Sequence, residues 1–397
     1  MGELALRGGE PVRKTRLSYG HQYIDEADIQ AVTETLRSDF LTCGPKVSQL
    51  ETRLCEITGA AHCVTVSNGT AALHTACLAA GVGPGDEVIT TPITFAASAN
   101  AILYCGGRPV FADIDPETYA IDPKSVEERI TAKTKAVIAV DFTGQACDYD
   151  AIRSICRRHG LLLIEDAAHS IGTVYHGKPV GSVADLTTFS FHPVKTITAG
   201  EGGAVTAMDE ELAQRARLFA RHGITREAAL LRERGNSNWY YEQRQLGYNY
   251  RLTDIQCALA LSQLEKLDRF SARRKALARQ YDEAFRELPG VFVQKETGGS
   301  DTVRHLYILR LDLARLRCGR REFYDALQAE NIGVNVHYIP VYYFPYYREL
   351  GYQKGLCPCA EAYYESCLTL PLFYGMTDQD QQDVVEAVKK VLAYYWK

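Results

Sequence analysis

"KAVIAVDFTGQACDYDAIRSICRRHGLLLIEDAAHS", residues 135–170, reads as strand, helix, strand. Ala136 to Val140 and Leu161 to Ile164 are apolar without alternation, the pattern of strands buried on both faces. Between them, "DYDAIRSICRRHG" (148–160) carries its charges at helical spacing and ends on Gly160, a residue suited to a helix C-terminus. Two buried strands joined through a helix predict a parallel pair, because parallel strands need a crossover connection.

The same theme runs outward in both directions. "HCVTVS" (62–67) precedes a helical "GTAALHTACLAAG" (69–81), and "DEVITTP" (86–92), "RPVFADI" (108–114) and "LTTFSFH" (186–192) read as further strands. The expected architecture is α/β, a mostly parallel central sheet covered on both faces. Around Tyr250 the texture changes. "LTDIQCALALSQLEKLDRFSARRKALARQYDEAFREL" (252–288) has helical periodicity and reads as two helices or one bent one. Beyond it lie "HLYILRL" (305–311), a helical "REFYDALQAENIG" (321–333) and a terminal helix starting near Thr377. The chain is therefore expected to form a large domain over residues 1–250 and a smaller α+β domain over residues 251–397, packed tightly together.

Bulk properties narrow the function. The 397 residues are 46% hydrophobic and 23% charged, an ordinary globular balance. A net charge of −5 argues against a nucleic-acid partner, which would call for a basic face. The uncharged run from Val88 to Gly107 contains Pro92, threonines and Asn100, so it is expected to be strand, loop and helix rather than a membrane span. The amino terminus has no apolar signal region, so a cytoplasmic protein is expected. The 12 cysteines are scattered, and Cys357-Pro358-Cys359 is too tight for the usual zinc pair. Free thiols and no metal are expected.

Three elements of the first half suit a phosphorylated aromatic cofactor. In "VSNGTAAL" (66–73) a strand runs into a helix, whose first N–H groups and dipole favour phosphate. Gly69 allows close approach and Thr70 adds a hydroxyl. A plain helix cap by Ser67 or Asn68 explains the same residues. In "LLLIEDAAHS" (161–170), Glu165 and Asp166 stand at the C-terminal end of a buried strand, where open α/β sheets place ligands. A carboxylate there can hold a ring nitrogen protonated, although it can also simply cap the next helix. In "FSFHPVKTITAGEGGAV" (189–205), Ser190 ends a strand and Lys195 stands in the turn before a glycine-rich return. Burial would lower the pKa of such a lysine and leave its amine free to attack a carbonyl.

These motifs carry a resemblance. The chain resembles the DegT-type nucleotide-sugar aminotransferases, which depend on pyridoxal 5'-phosphate (PLP) and have the aspartate-aminotransferase-like fold (PLP fold type I). It does so through "FLTCGPKVSQLE" (40–51), the stretch from Ser67 to Ile102, "EDAAHSIG" (165–172), "SFHPVKTITAGEGGAV" (190–205), "LGYNYRLTDIQCALALSQLEKLD" (246–268) and "LTLPLFYGMT" (368–377). The resemblance implies Lys195 as the Schiff-base lysine and Asp166 as the partner of the pyridine nitrogen. Phe95 would stack on the ring, and Gly69, Thr70 and Ser190 would hold the phosphate. His169 stands where many members have glutamine, near the phenolic oxygen. Asn249 would reach the phosphate of a neighbouring subunit, so a homodimer with shared active sites is implied. Tyr250, Arg251, His337 and Tyr338 are implied substrate contacts. The expected reaction moves an amino group from glutamate to a keto-sugar nucleotide.

Within the family, "QYIDEADIQAVTETLRSDFLTCGPKV" (22–47) and the lysine turn are similar to the aminotransferases of the pseudaminic acid pathway, which act at carbon 4 of a UDP-linked 4-keto-6-deoxy-N-acetylhexosamine. Three other readings compete. Sugar dehydratases of this fold carry histidine in place of the lysine, which Lys195 opposes. A non-catalytic member of the fold is opposed by the intact lysine, aspartate and phosphate loop. An amino-acid aminotransferase lacks support from any clear carboxylate-binding arginine motif.

Overall fold

The computed structural model describes residues 3–233 and 237–397. Seven strands form the main sheet: β1 (His62–Val66), β2 (Glu87–Thr90), β3 (Arg108–Phe111), β4 (Thr134–Val140), β5 (Leu162–Asp166), β6 (Leu186–Ser190) and β7 (Gly203–Ala207). Their order across the sheet is β1-β7-β6-β5-β4-β2-β3. The predicted β4–helix–β5 unit is present, with β4 and β5 parallel from Ala136 opposite Leu162 to Val140 opposite Asp166. Its helix, Tyr149–His159, starts where the Asp148 side chain accepts the Ala151 N–H and ends on Gly160 at φ 64°. Ala136 to Val140 are buried, as expected for a strand covered on both faces.

One strand departs from the parallel pattern. β7 runs antiparallel to both neighbours, pairing Ser190 of β6 with Gly203 and Val66 of β1 with the same Gly203. Because β7 reverses direction, β1, β5 and β6 all point the same way and end on one edge of the sheet. A Cβ on Gly203 would sit 2.6 Å from the Asn68 carbonyl oxygen and 2.7 Å from that of Phe189. Glycine is what lets the three backbones approach at this point.

The long helical span divides in two, Asp254–Leu264 and Leu267–Phe285, the first opened by a Thr253/Gln256 capping box. Strands β8 (Val291–Val293), β9 (Tyr307–Leu311) and β10 (Cys367–Leu370) form an antiparallel sheet in the order β8-β9-β10. The helices Arg320–Ala329 and Asp378–Tyr395 share its core through Phe323, Leu327, Val384 and Val388.

Packing does not follow a single cut at residue 250. Leu4 and Leu17 lie in the core of the C-terminal unit, with Leu277, Phe285 and Leu309. Conversely, Leu252, Cys257, Leu264 and Phe270 pack with Leu50, Leu54 and Phe189 beside the large sheet. The physical reason is that an amphipathic segment buries its apolar face where a complementary face is available, whatever its place in the chain. The Val88–Gly107 run is β2, a loop and the helix Ala97–Tyr104. Among the described residues no helix is long and apolar enough to cross a membrane. All 12 cysteines are free thiols.

Candidate active site

The edge where β1, β5 and β6 end opens into a cavity of about 930 Å³. The segment from Asn335 to Ile339 and Phe344 of the C-terminal unit closes its far side. Gly69, Thr70, Phe95, Asp166, His169, Ser190, Lys195, Tyr250, His337 and Tyr338, ten of the residues singled out in the sequence, line it.

Asp166 ends β5 and is only 4% exposed. Its carboxylate accepts the Ser98 hydroxyl (2.7 Å) and the Ala168 N–H (3.2 Å). Burial pushes this carboxyl above its ordinary range, and the Ser98 bond, the Ala168 bond and the nearby Lys195 charge pull it back. A carboxylate desolvated in this way is poised to pair with a cation in the cavity.

Lys195 lies in the turn between β6 and β7, its N–H donating to the His192 carbonyl (2.9 Å). The residue is half-buried because the cavity mouth is open, yet protein surrounds the amine closely enough for burial to dominate its ionisation. Burial pulls its pKa down to about 8, Asp166 opposes the change and Arg274 adds to it. The sequence question of why a lysine stands before the glycine-rich return is answered in space. The turn delivers an amine to the same cavity as Asp166.

The helix-cap reading is met, and the same helix end lies on the cavity. Asn68 caps the helix Gly69–Ala79 by accepting the Ala71 N–H (2.8 Å). Gly69 and Thr70, first in that helix, line the cavity, and their N–H groups have no intrahelical acceptor. A Cβ on Gly69 would lie 2.8 Å from the Ser190 Cβ, so only glycine allows the helix end to sit against β6. Across the cavity Phe95 is 64% exposed, a large apolar ring left open to a ligand.

Histidines and tyrosines from both units line the opposite wall. The Tyr338 hydroxyl is 3.3 Å from His169 Nε2, and His337 Nδ1 is 2.8 Å from Thr369 Oγ1. Burial holds both histidines neutral, with His337 drawn down to about 4. His305 packs beside His169 with ring centroids 4.4 Å apart. The sequence reading missed His305, Tyr19, Asn335, Ser98 and Ala168 as cavity residues. Ser98 and Ala168 stood inside motifs already quoted. His305 read as the start of a strand, and nothing local distinguished Tyr19 or Asn335.

Asn249 and Arg251 are not part of this cavity. Tyr250 turns toward it, its hydroxyl 3.0 Å from His74 Nδ1. Side chains alternate along extended backbone, so its two neighbours turn the other way. Asn249 is exposed. Arg251 faces a second cavity of about 900 Å³, lined also by Glu51, Arg217 and Arg221. There Glu51 accepts from Arg217 (3.0 Å), and no lysine contributes. Within its own chain Arg251 therefore lines this second cavity and not the one that holds Lys195.

The DegT/DnrJ/EryC1/StrS aminotransferase family model matches residues 22–389. The chain belongs to that family. SpsC of Bacillus subtilis (strain 168), a spore coat polysaccharide biosynthesis protein, is 44% identical over 95% of this chain and 97% of its own length. A UDP-4-amino-4,6-dideoxy-N-acetyl-beta-L-altrosamine transaminase of Campylobacter jejuni is 38% identical over 95% and 97%. Spr1654 of Streptococcus pneumoniae, solved in its PLP form, superposes with a TM-score of 0.89 at 33% identity, over 96% of this chain and 99% of that one.

This member of the DegT family is thus a PLP-dependent sugar aminotransferase of the α/β PLP-type fold. The residues present fit the cofactor. The cradle at Gly69 that a Cβ would fill, the uncovered face of Phe95, the buried Asp166 carboxylate and the lowered Lys195 amine could hold its phosphate, ring, ring nitrogen and aldehyde in turn.

Proposed function

We propose that this DegT-family enzyme transfers the amino group of glutamate to carbon 4 of a UDP-linked 4-keto-6-deoxy-N-acetylhexosamine. The observation that carries the reading is the similarity, over nearly the full length of both chains, to a transaminase named for that 4-amino sugar. The cavity supports it with an amine, an acid and room for a sugar in one place. When bound, PLP supplies the electron sink for both half-reactions.

The chain's own residues supply orientation and proton movement. Asp166 would hold the ring nitrogen protonated through a carboxylate fixed by Ser98 and Ala168. The N–H groups of Gly69 and Thr70, with Ser190, would hold the phosphate. Phe95 would stack on the ring, and His169 would stand near the phenolic oxygen. Lys195 Nζ takes the proton from the donor's α-carbon and later returns one to the sugar's carbon 4. Glutamate leaves as a 2-oxo acid and the keto sugar leaves as an amine. His337, Tyr338 and Tyr250 line the same cavity, where they would contact the sugar.

The expected result with purified enzyme is glutamate-dependent amination of the L-arabino keto sugar in preference to the D-xylo epimer. The epimers present the ketone with the acetamido group in different positions, so one pocket favours one of them. NMR of the products from both epimers checks this. Exclusive use of the D-xylo sugar, or of a dTDP sugar lacking the acetamido group, would leave the family and sink the substrate.

The working unit in this reading is a homodimer in the cytoplasm. Asn249 and Arg251 face away from their own cavity, which suits service to the cavity of a second copy, with Arg251 as a donor to the diphosphate. Free cysteines throughout suit a reducing compartment. Mixing inactive Lys195→Ala with inactive Asn249→Ala chains is expected to restore activity, because each hybrid pair assembles one site with Lys195 from one chain and Asn249 from the other. No recovery under conditions that exchange subunits counts against shared sites.

A further inference from the structure

Arg274 lies on the helix Leu267–Phe285 and is 2% exposed, the largest fully buried side chain among the described residues. Buried charges are normally paired with a carboxylate. Among the described residues none lies within ion-pair distance of Arg274. Its Nη1 donates instead to the carbonyls of Leu372 (3.1 Å), His305 (3.3 Å) and Arg304 (3.4 Å), and its buried Nε has no acceptor. His305 in turn lines the cavity that holds Lys195. The carbonyls solvate the guanidinium but carry no net charge, so no neighbouring carboxylate neutralises it.

We propose that Arg274 is a positioning residue for the Lys195 amine, acting through its unpaired buried charge, which disfavours a second cation in the cavity. Every charged or titratable group facing Lys195 enters this balance. Asp166 favours the ammonium and Arg274 opposes it. His169, His305 and His337 are held neutral by burial and add no charge. Glu201 lies on the cavity rim, exposed and screened by solvent. A catalytic amine must be uncharged to attack and to take a proton, so a fixed cation nearby keeps it ready near neutral pH.

The inference rests on Lys195 being the reactive amine and is independent of which sugar is used. The test is therefore made on the full-length protein freed of cofactor. Brief pulses of acetic anhydride across pH 6–10, followed by peptide mass spectrometry, titrate Lys195 against the exposed Lys124 in the same sample. Lys195 in the natural protein is expected to label with a midpoint near pH 8. In Arg274→Met the midpoint moves up by roughly one pH unit, so labelling at pH 7 falls about tenfold while Lys124 is unchanged. Arg274→Lys loses the planar clamp and keeps a cation at the acid end of the range, so its Lys195 labelling at pH 6–7 stays with the natural protein.

Circular dichroism confirms that each variant is folded. A folded Arg274→Met with an unaltered Lys195 profile overturns the proposal. So does an Arg274→Lys protein whose Lys195 labelling at pH 6–7 falls as far as in Arg274→Met, since a cation is then present and only the clamp is missing. Should Arg274→Met fail to fold, Arg274→Gln takes its place, since it offers the Leu372 and His305 carbonyls a donor without the charge and is expected to move the midpoint up in the same way. A natural-protein midpoint at the ordinary lysine value also overturns it. A wrong sugar assignment leaves all of these labelling results untouched.

Discussion

Borohydride treatment of the PLP-loaded enzyme is expected to fix the pyridoxyl group on Lys195, and Lys195→Ala to lose activity by on the order of ten-thousandfold. The expectation follows from environment and not from residue type, since most lysines are solvated surface groups. Lys195 is held by a turn off β6, its amine is drawn down to about 8 mainly by burial, and it shares a cavity with the Asp166 carboxylate. Removing it takes away both the attachment point and the proton carrier, so the two half-reactions fail together. The phosphate loop and Phe95 are untouched by the change, so Lys195→Ala should still bind cofactor non-covalently. Peptide mapping that finds the label on another lysine, or a Lys195→Ala protein with near-normal turnover, ends this reading.

Asp166→Asn is expected to keep the fold and slow turnover by about a hundredfold or more, as for other electrostatic stabilisers. The amide retains the shape of the side chain and can still accept from Ser98 and Ala168. It cannot carry the negative charge that keeps a ring nitrogen protonated. The cost should therefore fall on the chemical step, with binding of the nucleotide sugar little changed. Steady-state kinetics with glutamate and the keto sugar check this through kcat. An Asp166→Asn protein with normal kcat would reduce Asp166 to a cap on the turn that follows β5.

The chemistry of the centre was legible because each of its parts is written locally. A strand that ends in acid, a strand that runs into Gly-Thr and a lysine before a glycine-rich return are short-range patterns. Each follows from the period of the element that carries it. The direction in which Asn249 and Arg251 point was not legible. It depends on Tyr250 being the residue that turns to His74, and His74 is far away in the chain. His305 was missed for the same reason. It reads as the first residue of a strand and becomes a cavity wall only when the C-terminal unit folds over the sheet edge.

The two glycines show where that boundary falls. Sequence alone established that Gly69 opens a helix after β1 and that Gly203 follows the lysine turn. What each is needed for is set by pairing across the sheet. Gly69 must pass Ser190, and Gly203 must lie between Asn68 and Phe189. The insertion of β7 antiparallel between β1 and β6 makes both contacts, and it aligns the ends of β1, β5 and β6 along one edge. The sequence by itself determined the alternating strands and helices, the helix end that offers N–H groups, and the residue types able to carry acid, amine and stacking chemistry. Only the tertiary structure decided that these meet in one cavity, which side chains join them from the C-terminal unit, and that Arg274 is buried nearby without a carboxylate. The physical reason is that hydrogen-bond period and side-chain alternation act over a few residues, whereas strand order and burial are settled by contacts between segments far apart in the chain.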